Sequence, residues 1–190
     1  MSRFIRFLRI TLVCCLVLAA SVLANSQASA PAKPAVGTPV PPAQIYGKLL
    51  SVVETEFVSA AEAMPEDKYG FAPTQGEFKG VRTFGEQLKH VTEANDYYFH
   101  DPAAPLVDNR ADIDKLKTKA EILKALKDSL AQAHAFVNAI TPENAFIATA
   151  NGTRAGMASA GVAHMMDHYG QMVEYLRMNG IVPPASRNSN

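Results

Sequence analysis

Residues 154–179 read RAGMASAGVAHMMDHYGQMVEYLRMN. On a wheel of about 100° per residue, Met157, Ala160, Gly161, His164, His168, Gln171, Met172 and Tyr175 share one side. That side predicts an amphipathic helix packed inward along its length. Gly180 and the pair Pro183-Pro184 follow directly, a stop signal for a helix at about residue 179. Ala160 and Gly161 are small, so a neighbouring backbone can come close one turn before the first histidine.

Three more segments upstream carry the same period. Ile45, Leu49, Val52, Val53, Glu56, Phe57 and Ala60 predict a helix over 44–64, ending at Pro65. Thr83-Phe84-Gly85-Glu86 is a capping box opening a helix over 84–99, with Leu88, Val91, Asn95 and Tyr98 on one side. Thr118-Lys119-Ala120-Glu121 is a second box, opening a helix over 119–140 that carries Ile122, Leu126, Leu130, Ala133, Val137 and Ile140. The connections, 65–82, 101–112 and 141–152, are rich in turn residues. No alternating run of comparable strength suggests a sheet, so the fold class is all-α, a four-helix bundle. Asn151-Gly152-Thr153 matches a glycosylation acceptor but reads more simply as a turn leading into a helix cap.

Before the first helix, residues 31–43 (PAKPAVGTPVPPA) hold five prolines and predict an extended spacer. Residues 1–30 hold Arg3, Arg6 and Arg9, then an apolar run, then small residues, the three parts of a secretory signal. The apolar run Ile10–Ala24 is 15 residues, short of the roughly 20 a membrane-spanning helix needs. The expected organisation is a signal peptide over 1–24 (cleaved after Ala24, or as late as Ala28), a spacer over 25–43 and the bundle over 44–186. An exported protein, periplasmic or extracellular, follows, with no stable membrane anchor after cleavage. Both cysteines, Cys14 and Cys15, leave with the signal. The mature chain then has no disulfide, thiolate metal site or cysteine nucleophile.

Eighteen Lys+Arg balance eighteen Asp+Glu, and loss of three arginines with the signal leaves an acidic excess. That charge argues against a nucleic-acid partner. A hydrophobic content of 48% against 19% charged argues against disorder.

The chemistry rests on histidines. His164 and His168, four apart, stand one turn apart on the inward side of the last helix. Two imidazoles facing a bundle interior are costly unless they are paired or ligate a metal. The spacing is compatible both with a metal site and with two satisfied core or rim histidines. By the wheel, His90 sits beside the inward stripe of its helix and reads as a surface or rim residue. His134 and His100 read as solvated or capping. Met165 stands where a zincin motif needs glutamate. No Ser-His-Asp set or glycine-rich phosphate loop is evident.

Thr83 to Val91 (TFGEQLKHV), His164 to Gln171 (HMMDHYGQ) and Tyr175 to Pro184 (YLRMNGIVPP), in this order and spacing, resemble the DinB-like family over about 44–186. The resemblance implies a four-helix bundle with a long crossover and a mononuclear divalent-metal site. Its ligands correspond to His90, His164 and His168. The ion is not distinguishable among Zn, Ni, Fe and Mn. Tyr169 stands where many relatives carry arginine. Gln171 and Asn95, with Asp167 and Glu93 as weaker candidates, could orient an imidazole or a water.

Three function classes compete. The resemblance implies a metal-dependent enzyme on an unknown small-molecule substrate. Relatives are described as metal-dependent hydrolases, and others are thiol-dependent S-transferases or an isomerase. Low-molecular-weight thiols are cytosolic, so export favours hydrolysis, although helix 154–179 offers no well-placed carboxylate base. The second class is a non-catalytic metal- or ligand-binding bundle, which would call for a fourth protein ligand. None is obvious. The third is a structural element forming a homodimer.

Overall fold

Thr83 and Thr118 each accept the N–H of the residue three positions on (Glu86, Glu121), whose carboxylate returns to the threonine N–H. Each box satisfies two otherwise unpaired donors at a helix start. In the computed structural model, which describes residues 33–187, these caps open α2 (Phe84–Tyr98) and α4 (Lys119–Asn138). The other long helices are α1 (Pro42–Ala63) and α5 (Arg154–Met178). The expected signal peptide and the first part of the spacer lie outside the described residues. Among the described residues, no helix is long and apolar enough to cross a membrane.

The described residues 33–39 belong to a first unit, with a turn at Gly37. The second unit, from Val40, holds every helix among the described residues. Its first helix takes in two residues of the expected spacer. Pro42 opens α1 without penalty, because its missing N–H would have no partner in a first turn. Two short elements interrupt expected connections. A five-residue helix, α3 (Arg110–Asp114), lies in the loop expected over 101–112. A short hairpin pairs β1 (Ala148–Thr149) with β2 (Gly152–Thr153), turning at Ala150-Asn151, and Thr153 caps α5.

Side-chain pairs set the directions of the four long helices. Glu62–Lys127 and Glu54–His134 run α1 against α4. Asn95–Ser129 and Phe99–Phe136 run α2 with α4. Gln87–Gln171 and Phe99 against Gly161 run α2 against α5. The order is therefore up-down-down-up. α1 packs on α4 and α5, and α2 packs on the same two helices. Because α2 and α4 are parallel neighbours, residues 99–118 must travel back along the bundle. This is the long crossover.

The core lies between the helices, with Phe57, Phe84, Leu88, Leu126, Leu130, Met165, Met172 and Leu176 fully buried. All six inward positions expected on α4 are buried. On α1 the inward side is rotated from expectation. Leu50, Val53, Phe57, Ala60 and Ala61 are buried, whereas Ile45, Leu49 and Val52 are exposed. Adjacent apolar pairs, Leu49-Leu50 and Val52-Val53, permit either rotation. The bulk of Phe57 and the close-packing Ala60-Ala61 favour the observed one.

Candidate metal centre

α2 and α5 meet where His90 faces His164 and His168. His90 Nε2 and His164 Nε2 are 3.2 Å apart. One ring nitrogen from each of the three histidines lies within 4.8 Å of the others. The rings stand at steep angles, with centroids 4.6–5.1 Å apart. His168 is buried at 6% exposure, while His90 and His164 are half-buried. The centre of the α5 inward stripe is thus Gly161, Met165, His168 and Met172, with His164 and Gln171 at its border.

A hydrogen-bonded chain fixes the state of His168. The Asp167 carboxylate can only accept, and it takes an N–H from Gln171 at 3.1 Å. The Gln171 oxygen therefore turns to Gln87, which donates to it at 2.8 Å. The Gln87 oxygen is left facing His168 Nδ1 at 2.5 Å. An oxygen there requires the proton on Nδ1 and leaves the lone pair on Nε2. His164 is held differently. Tyr98 tilts against its ring at 5.4 Å, and its Nδ1 is buried with no partner among the described residues.

All three imidazoles are held below the usual histidine range, first of all by burial. The charge of Arg82 adds to this at His90 and His164. His168 is pushed down to about 4 by burial and then by the other two histidines. Neutral imidazole is the ligating form. Two nitrogens bound to one ion at about 2.05 Å lie about 3.3 Å apart at the tetrahedral angle. The observed His90–His164 spacing of 3.2 Å matches that separation. The donor set fits a divalent ion, and no carboxylate belongs to the cluster.

Beside the cluster lies a cavity of about 680 Å³ with His90 and His164 in its wall. Arg82, Glu93, Tyr97 and Tyr98 line it, together with Leu106–Arg110 of the crossover. Burial, with Asp114 nearby, raises the Glu93 carboxyl above its usual range.

Of the residues expected from sequence, His90, His164 and His168 are brought together, with Gln171 and Asp167 in the chain behind His168. Glu93 lines the cavity. Asn95 is buried and donates to Ser129 on α4 at 3.1 Å, and no hydrogen bond joins it to a histidine among the described residues. His134, expected to be solvated or capping, is half-buried and bonds Glu54 across α1 and α4 at 2.6 Å. Gln87 was not foreseen. Its signal was a polar side chain on the buried side of α2, one turn before His90, where it is 2% exposed.

Fold and site together define a class, the up-down-down-up helix bundle with a histidine triad arranged to accept a metal ion. The family model of the DinB superfamily matches residues 49–172, a span containing all three histidines. The chain belongs to the DinB superfamily. No curated protein matches it.

Proposed function

We propose that this protein is an exported, metal-dependent enzyme that hydrolyses a small molecule. One divalent ion would be held by His90, His164 and His168, with no nucleic-acid partner and no lasting membrane anchor. The observation that carries the reading is the triad itself, three neutral imidazoles around one point at the wall of a cavity of small-molecule size. Export rests on the pattern of residues 1–24 alone.

When bound, a divalent ion supplies Lewis-acid polarisation and brings the pKa of water toward neutrality. The chain's own residues supply the rest. Gln87 keeps His168 Nε2 free of a proton. Tyr98 holds the His164 ring. Glu93, whose carboxyl burial raises above its usual range, would take a proton from water at Oε and return it to a leaving group. This supplies from α2 the carboxylate base that α5 lacks. Among the described residues no fourth ligand joins the cluster, which weighs against a closed, non-catalytic site.

The test is metal content by mass spectrometry after dialysis against Zn, Ni, Fe or Mn, for wild type and His168→Ala. About one ion per wild-type chain, lost in the variant, is expected. A wild type that retains no stoichiometric metal refutes the site. For the reaction, the loaded protein is assayed on a panel of small esters and amides. Turnover that survives in Glu93→Gln at the wild-type rate would remove Glu93 from its role.

A further inference from the structure

Two arginines border the cavity beside the triad, Arg82 and Arg110. Arg110, in its wall, is already neutralised, its guanidinium donating to Asp108 at 2.9 and 2.7 Å. Arg82 makes no ion pair and no side-chain hydrogen bond among the described residues. Its backbone is nevertheless fixed, because the Tyr175 hydroxyl donates to the Arg82 carbonyl at 3.1 Å and the next residue, Thr83, caps α2. Arg82 lines the same cavity as His90 and His164. The same lining includes apolar side chains. Leu106 and Val107 are exposed there, Val107 at 74%, and Tyr97 and Tyr98 stack edge to face at 5.3 Å.

An unpaired guanidinium and apolar side chains lining one cavity match the two parts of a ligand with an anionic head and an apolar body. We propose that the cavity takes a small monocarboxylate, its carboxylate held by Arg82 and its apolar body against Tyr97, Tyr98 and the Leu106–Val107 segment. A guanidinium binds a carboxylate through two parallel N–H bonds, which fixes both position and orientation. Glu93, Asp96 and Asp108 also border the cavity, and their charges disfavour a phosphate dianion. Such a ligand would lie beside His90 and His164, which line the same cavity. Only a reaction there rests on the metal-enzyme reading.

The test compares three probes on the purified full chain, with and without one equivalent of zinc. They are phenylacetate, its neutral isostere phenylacetamide, and phenyl phosphate, with affinities read by calorimetry and by NMR shifts at fixed salt. Phenylacetate is expected to bind about ten-fold tighter than phenylacetamide in the zinc-free protein. Arg82→Gln should abolish that preference, Arg82→Lys restore part of it, and Arg110→Gln leave it in place. Thermal melts confirm that the variants are folded. Equal affinity for acid and amide, or a preference that survives Arg82→Gln, overturns the proposal. Tighter binding of phenyl phosphate overturns the carboxylate assignment. A preference seen only with zinc and indifferent to Arg82 assigns the anion to the metal, sinking this proposal while sparing the metal site. A preference retained in a chain that takes up no metal does the reverse.

Discussion

Replacing Gly161 with alanine adds one methyl group where α5 crosses the end of α2. An ideal Cβ there would lie 2.5 and 2.7 Å from carbons of the Phe99 ring and 3.0 Å from Tyr98 Cβ. Carbon contacts are comfortable at about 3.5–4.0 Å, so the helices must separate or Phe99 must turn by about 1 Å. Phe99 has little room, being 1% exposed and packed edge-on against Phe136. Overpacking of this kind costs about 1–3 kcal/mol. Alanine recovers up to about 1 kcal/mol of helix propensity. The net loss is about 0–2 kcal/mol, a fall in Tm of up to about 6 °C for a chain of this size. Gly170, in the same helix, has nothing within 4 Å of its ideal Cβ. Gly170→Ala therefore gains propensity without overpacking and should raise Tm by about 2 °C. Calorimetric melts of both variants beside wild type make the comparison. A Gly161→Ala protein as stable as Gly170→Ala would refute the close approach of α2 and α5. Because Tyr98 also rests on His164, Gly161→Ala should weaken zinc retention as well, which a chelator competition reads.

Gln87→Ala removes the acceptor behind His168. Zinc affinity should fall about 10–100-fold with the stoichiometry unchanged, measured against a chromogenic chelator. In the metal-free protein, stability should fall as pH drops from 6.5 toward 4. The folded pKa of His168 lies below its ordinary 6.5, so the unfolded chain binds more protons in that window. The contribution is complete above 6.5 and is lost as pH falls through the folded value, about 1–2 kcal/mol after allowance for solvent at the cluster. Urea midpoints at pH 7.5, 5.5 and 4.5 check this, and His168→Gln should flatten the slope.

What could be read in the sequence was local. The two capping boxes mark the starts of α2 and α4 because both partners lie within four residues. The α4 stripe is legible because its apolar residues occupy a single side. α1 was misrotated because its apolar residues occupy two adjacent sides, and packing against α4 and α5 selects one. Five residues cannot display a helical period, so α3 went unseen. Spacing on α5 suggests the histidine pair, but on α2 it leaves His90 at the rim. Only the antiparallel meeting of α2 and α5 makes it the third member. Gln87 is hidden for the same reason, since its partners stand 81 and 84 positions away.

The crossover has a consequence for how such a protein can change. Returning the chain between two parallel helices is a topological obligation, and a 15-residue helix requires a return of about 22 Å. Here that obligatory path forms a wall of the cavity through Leu106–Arg110. Little of this stretch belongs to the core, so substitutions in it reshape what the cavity admits without charging the bundle for the change. The crossover's share of the cavity wall can thus vary apart from the residues that hold the fold. Under the proposed function, a lineage could retune which small molecule it admits by editing a few crossover residues while the histidines and the four helices stay as they are.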